Sequence, residues 1–439
     1  MPRRVARDAL LVIGGRIGFV GLWFVAVLLV YRGLGADEAG LAEAGRFAVA
    51  IACVKIASGC IVDPGDVALM RRAPTLLRSD AEAAHRLLRA AFLLRLVATL
   101  VVAAALLAFA AGFGRRLVGG GGAVAPLMGL IVAAILADML FRSVLVVLQA
   151  AERFPALVLL EGALQVSRLL AILLLLAAGA MTVERVLVAY AGAGFLAGLA
   201  GAALLLPRAL FASAGIDRAD VRDLVGFLKW MVPAMVLAAF NERLDILLVY
   251  AFKGADAAGR YGAMLTLAVV PDLVAGCLAA IVQPRIARML AEGSYGETLR
   301  RFLTVALPGA VLCFLVALLA GPTVIPLVLG AGYAPGVPAF LWLLAGTLFW
   351  LAVTPLPMSL VAVHAPARIA LVTIGQTAII VTGAVALLPP FGPVGMAQAV
   401  CAMRVGVALA LLVMAHRMAR PPRAVPLPTG EGPWASTGR

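Results

Sequence analysis

Asn241-Glu242-Arg243-Leu244-Asp245 places four polar side chains inside a run from Phe227 to Phe252 that is otherwise largely apolar. At ~1.5 Å per residue the run is long enough to cross a bilayer as a helix. Each charge near its middle costs roughly 2.5–3.5 kcal/mol on insertion scales. Such residues require ion partners, water or a ligand. The plainest reading is a salt-bridge cluster that holds helices together. A functional site is the other, and it gains weight because the same oddity recurs in most of the other hydrophobic segments.

The composition around this stretch excludes a soluble globular protein. Of 439 residues, 64% are hydrophobic and 13% charged, against about 25% charged in ordinary soluble domains. Runs such as Leu169–Ala180 and Val97–Ala111 are apolar on every face, which excludes the alternating pattern of a transmembrane barrel and leaves an all-α integral membrane protein. The net charge of +14 would suggest nucleic acid in a soluble chain; here it is read against the membrane, and no nucleic-acid partner is expected. Cys53, Cys60, Cys277, Cys313 and Cys401 fall in apolar segments and read as small hydrophobes. His85, His364 and His416 lie far apart near helix ends, so no metal site is expected.

Twelve spans are predicted, at about 9–31, 47–70, 90–113, 124–150, 155–180, 184–207, 226–252, 259–283, 302–321, 337–363, 368–389 and 394–416. With the N-terminus in the cytoplasm, 21 Lys and Arg fall on the cytoplasmic side and seven on the other, which predicts cytoplasmic N and C termini. The expected organisation is an N-terminal six-helix bundle over 1–208, a polar cytoplasmic linker or surface helix over 209–225, a C-terminal six-helix bundle over 226–418 and a disordered tail over 419–439. A repeat supports it. Ile61-Val62-Asp63-Pro64 near the end of the second span is echoed by Ile281-Val282-Gln283-Pro284 near the end of the eighth, and Leu160-Glu161-Gly162 by Ile374-Gly375-Gln376. Six spans per unit preserve orientation, so the repeats are parallel, and the expected fold is two such bundles around a central cavity.

With Glu184, Arg185, Arg260 and Arg368 at span edges counted with the adjoining loops, the spans hold eight bases, Arg16, Lys55, Arg95, Arg142, Arg168, Lys229, Arg243 and Arg404, and seven acids, Asp63, Asp66, Asp138, Glu161, Glu242, Asp245 and Asp272. Lys229, Arg95, Asp63 and Asp66 lie near span ends and read as interface residues. Asp138 and Arg142, four apart, share a helix face and can pair with each other. Glu161, Gln165 and Arg168 form a polar stripe that must face another helix or a water-filled interior. Fifteen ionisable groups spread over eight spans are accounted for better by an aqueous cavity than by private pairs. Deep guanidinium groups suit an anionic headgroup because they bind phosphate bidentately, and an ammonium adds a point charge. No Gly-x-x-x-x-Gly-Lys-Ser/Thr loop occurs, so neither an enzyme nor an ATP-driven pump is expected.

Asp63-Pro64-Gly65, Glu242-Arg243-Leu244-Asp245-Ile246 followed by Gly259-Arg260-Tyr261-Gly262-Ala263, and Leu329-Gly330-Ala331-Gly332-Tyr333-Ala334 resemble the polysaccharide-export and O-antigen flippase branch of the multidrug/oligosaccharidyl-lipid/polysaccharide superfamily. The resemblance extends over the chain in its twelve-span plan. It implies a bacterial cytoplasmic-membrane protein that moves an undecaprenyl-diphosphate-linked oligosaccharide to the periplasmic leaflet by alternating access, for surface polysaccharide synthesis. The diphosphate would meet Arg16, Lys55, Arg142, Arg168 and Arg243. Asp138, Glu161, Glu242 and Asp245 are the candidates for coupling to a proton or sodium gradient, and no other cofactor is implied. The lipid tail would stay among membrane lipids; membrane glycosyltransferases and a polysaccharide polymerase are candidate partners. Three other readings stand beside it: a cation-coupled multidrug exporter, which would favour acidic and aromatic walls; a peptidoglycan-precursor flippase of the same superfamily, which also handles a diphosphate lipid but whose usual fourteen-span plan finds no room for two more spans after Met418; and a non-transporting scaffold for membrane glycosyltransferases, in which the charges would be buried pairs.

Overall fold

The computed structural model describes residues 2–35, 38–112, 124–208, 210, 218–272, 274–275, 289, 294–356 and 366–419. They form an all-helical membrane protein with no strand among them. The helices are α1 (Pro2–Gly35), α2 (Glu38–Ser79), α3 (Ala81–Gly112), α4 (Val124–Ala150), α5 (Phe154–Ala177), α6 (Val183–Leu205), α7 (Arg218–Asn241), α8 (Leu244–Ala268), α9 (Tyr295–Leu329), α10 (Val337–Ala352) and α11 (Pro366–Ala419). A short 3₁₀ helix, Ala331–Gly336, joins α9 to α10.

Local chemistry sets the ends. Pro155 occupies the first turn of α5, where its missing N–H would have no partner in any case. Thr182 caps α6 by accepting from the Arg185 backbone N–H at 3.3 Å. Two long elements are folded back on themselves by glycine. Gly254, at φ 85°, divides α8 into two arms, and Gly392, at φ 60°, does the same to α11; only glycine takes that conformation without a Cβ clash. These reversals reconcile eleven helices with twelve crossings. Nine stretches among the described residues have the length and hydropathy of a membrane span. The stretch Leu371–Val413 contains two arms, while α7 and the arms of α8 complete the seventh and eighth crossings.

The seventh crossing differs from the continuous helix expected over 226–252. Helix α7 ends at Asn241, Glu242 and Arg243 form a turn, and α8 restarts at Leu244. The charged quintet therefore stands at a break in the helix. Helix α7 itself begins at Arg218, within the stretch read as a linker. The tail beyond 419 and the Ile281–Pro284 repeat unit lie outside the described residues.

Helices α1–α6 form one bundle and α7–α11 the other. Large aliphatic side chains cover the outside: Leu196 is 72% exposed, Leu204 80% and Leu319 80%. In water such a surface would aggregate; in a bilayer it meets lipid. A single apolar core runs through both bundles, from Val30 and Leu41 to Val249, Met264, Leu343 and Leu388.

The bundles meet most closely where α1 ends and α2 begins. A Cβ on Gly45 would strike the Ala255 carbonyl oxygen, and one on Gly259 the Leu41 carbonyl oxygen. Glycine on both sides lets α2 and the second arm of α8 pack backbone to backbone. At the same end Tyr333 Oη donates to the Tyr31 carbonyl at 2.8 Å, and Arg32 Nη1 to the Val328 carbonyl at 3.2 Å.

Candidate functional site

A break in a helix at membrane depth leaves backbone polar groups without ladder partners, and such breaks are tolerated where they line a cavity or are buried in protein. The break after Asn241 meets this condition. Arg243 and Ile246, on either side of its exit, line a cavity of about 60 Å³ between the two bundles. Asn241 fastens the end of α7 to α11: its Nδ2 donates to the Thr373 carbonyl at 3.1 Å, and its Oδ1 accepts from Thr377 Oγ1 at 2.8 Å. Asp245 fixes the restart. Its carboxylate is 4% exposed and accepts from Tyr261 Oη and its neighbour Ile246 N, both at 2.8 Å.

The opposite wall comes from α5 and α6. Gln165 and Arg168 project from α5, and Tyr190 from α6. The Arg168 guanidinium carbon lies 3.6 Å from the Tyr190 ring centroid, a cation–π contact in a site only 8% exposed. Gly194, one turn along α6 from Tyr190, lets that helix approach α4, since a Cβ there would lie 3.1 Å from Ala137 Cβ. Trp23, Tyr31 and Phe47 complete an aromatic rim from α1 and α2.

Three polar atoms here are buried without a hydrogen-bond partner: Arg168 Nε, Arg243 Nε and Gln165 Oε1. Each such group left unsatisfied costs about 1–3 kcal/mol. Natural interiors pair the great majority of theirs, so three around one cavity call for water or a ligand. Two guanidinium groups and no carboxylate line the cavity among the described residues, so its wall is electropositive. Its size admits a few waters or one small anionic group, at about 10–15 Å³ per water. A larger cargo requires the bundles to separate.

The remaining intramembrane charges are largely consumed. Arg142 is bound to Asp63 and also reaches Asp66 Oδ2 at 3.4 Å. Asp66 in turn holds Arg95, whose residue is 3% exposed. This chain of four charges ties α2 to α3 and α4. Asp138, which shares a face of α4 with Arg142, accepts from Ser58 Oγ on α2 at 2.6 Å. In the second bundle Arg404 grips Asp272 with two bonds, of 3.2 and 2.9 Å, and donates to Thr347 Oγ1 at 2.7 Å.

Of the five bases singled out in the sequence, the cavity brings together Arg168 and Arg243. Lys55 is exposed on α2, one turn beyond the cavity residues Ile51 and Ala52 and on the same helical face. Arg142 is engaged with Asp63 and Asp66. The Arg16 side chain lies outside the described residues. Of the four acids, Asp138 and Asp245 are hydrogen-bonded, Glu161 is half-buried on α5, and Glu242 is exposed at the helix break. Sequence reasoning missed Tyr190, Trp23 and Ser58. Tyr190 alone carried a signal: it is a phenol in the first half of an otherwise apolar span, opposite a guanidinium.

No family profile and no curated protein matches the sequence. Solved structures do. The lipid II flippase MurJ in an inward closed conformation superposes with a TM-score of 0.73 at 13% identity, over 94% of this chain and 87% of that one. A multidrug resistance MATE family transporter of the MOP superfamily, in an inward-facing conformation, gives 0.73 at 12% identity, over 90% and 94%. The Vibrio cholerae MATE transporter VcmN gives 0.64 at 12% identity, over 95% and 97%. This chain shares their fold. The likeness covers nearly the whole of both chains, so it extends over the full fold, the two bundles and the α7–α8 region included.

Proposed function

We propose that this chain is a transporter that moves an undecaprenyl-diphosphate-linked oligosaccharide across the cytoplasmic membrane of a bacterium by alternating access. The observation that carries the reading is the convergence of Arg168 and Arg243, each with a buried N–H lacking a partner, on one cavity between the bundles. A diphosphate supplies the acceptors that both lack, in charge-assisted bonds roughly twice as strong as neutral ones. Lys55, at the open edge, meets the outer phosphate. The aromatic rim offers faces on which the first sugar packs. The isoprenoid tail remains in the bilayer.

The superfamily fold is shared with both lipid flippases and drug exporters, so the lining has to decide between them. A cationic drug needs acidic walls, and the described cavity residues include two arginines and no Asp or Glu. A scaffold would have its buried charges paired throughout, whereas the two cavity guanidiniums keep unpaired N–H groups. Among the carboxylates, Glu242 at the helix break is the one we assign to coupling with a proton or sodium gradient, because Asp138 and Asp245 are already held by donors.

The direct test is binding. Native mass spectrometry of the purified chain with a prenyl diphosphate should show a complex that Arg168→Gln and Arg243→Gln each weaken by at least about tenfold, the loss of one charge-assisted bond. A cationic drug retained in preference to the diphosphate would favour the exporter.

A further inference from the structure

A second cavity, of about 510 Å³, lies inside the first bundle, between α3, α4 and α6. Phe92, Leu140, Val144, Val147 and Leu206 give it apolar walls. Its volume is within the roughly 300–1,000 Å³ typical of ligand sites. None of its lining residues belongs to the central cavity, so an occupant does not stand on the transport route.

Charge distinguishes this chamber from an ordinary dent in a lipid-facing surface. Arg89 and Arg95, less than two helical turns apart on α3, both line it. Arg95 is 3% exposed, and although its Nη2 holds Asp66, its Nε and Nη1 are buried without a hydrogen-bond partner. Arg89 stands toward the connection between α2 and α3, where Arg78 and Arg86 are paired with Glu152 and Glu82 and Arg71 and Arg72 add two further positive charges. That connection is on the basic side of the membrane, and juxtamembrane bases attract anionic lipid by about 1 kcal/mol each.

We propose that this chamber binds an anionic glycerophospholipid. One acyl chain enters between α3, α4 and α6, and the phosphate meets Arg89 at the rim, with the unpartnered Nε and Nη1 donors of Arg95 also in the wall. The lipid would then fill a void in the first bundle and join three of its helices. The inference does not depend on the transported cargo.

The test is lipid binding by the full chain in detergent, read by native mass spectrometry and thermal shift. The probes are phosphatidylglycerol, phosphatidylcholine with the same chains, and undecaprenyl phosphate. Phosphatidylglycerol should bind about fivefold or more tighter than phosphatidylcholine, the effect of one rim arginine. Arg89→Gln should remove that preference and Arg89→Lys should keep it. Ala202→Phe, which fills the chamber, should reduce binding of both phospholipids. Should Ala202→Phe fail to insert, the Arg89 pair decides alone. Equal binding of the two phospholipids, unchanged in Arg89→Gln, would overturn the proposal. So would displacement of phosphatidylglycerol by an equal concentration of undecaprenyl phosphate, which would assign the chamber to the transported lipid.

Discussion

The Arg168 guanidinium lies over the Tyr190 ring at 3.6 Å, and its Nε has no hydrogen-bond acceptor. Tyr190 therefore holds the cation in place without using its N–H groups. A carboxylate in the same position would have neutralised the charge and occupied those donors. Removing the ring while keeping an apolar side chain, as in Tyr190→Leu, should weaken prenyl-diphosphate binding by about two- to thirtyfold, the range of a cation–π contact of ~0.5–2 kcal/mol. Tyr190→Phe should bind nearly as the parent does. Titration of both variants by native mass spectrometry checks this, and equal losses in the two would assign the effect to the hydroxyl instead.

The charges consumed in pairs should behave differently. Asp66→Ala strips Arg95 of its carboxylate partner in a site where that arginine is 3% exposed. Breaking a buried pair typically costs about 3–5 kcal/mol, and Asp272→Ala should be comparable through Arg404. Both variants should show a lowered Tm in detergent while the surviving folded fraction binds prenyl diphosphate with parental affinity. Parental stability combined with lost binding would place these residues in the substrate site.

The glycine seam between α2 and α8 should govern closure. Gly259→Leu drives a side chain into the Leu41 carbonyl and should hold the bundles apart at that end, abolishing transport while leaving membrane insertion intact. Full transport in Gly259→Leu would show that the seam does not need to close during the cycle.

Glu242, exposed where α7 gives way to α8, should set the dependence on an ion gradient. Glu242→Gln in proteoliposomes should retain prenyl-diphosphate binding but lose the stimulation that a proton or sodium gradient gives. Unchanged stimulation in this variant would remove Glu242 from the coupling path.

How far the sequence discloses these features depends on the kind of pattern involved. The all-helical membrane fold is legible because lipid demands long apolar segments, and the span predictions reflect that demand. Arg243 was legible as an expensive charge in one of them. That its helix breaks was not, because Asn241 to Asp245 contains neither proline nor glycine. The break is stabilised at a distance by Thr373 and Thr377 of α11 and by Tyr261 of α8. Helical periodicity also placed Asp138 beside Arg142, whereas the structure gives Arg142 to Asp63, 79 positions away, and Asp138 to Ser58, 80 positions away. Spacing shows which residues share a face; which element that face meets is decided by packing. Arg168 illustrates both halves of the point. Its stripe with Glu161 and Gln165 foretold a polar interior, and Tyr190 stood out as a phenol in an apolar stretch, but no spacing within α5 or α6 placed the two against each other.

The most direct test of the central claim is the sidedness of undecaprenyl-linked oligosaccharide in spheroplasts, read with a membrane-impermeant sugar label in cells lacking any redundant transporter. Depletion of the protein should trap the glycan on the cytoplasmic face. The intact chain should restore outward display, and Arg168→Gln and Arg243→Gln, each inserted at parental level, should not. Unchanged sidedness on depletion, or full display with both arginines neutralised, would contradict the account.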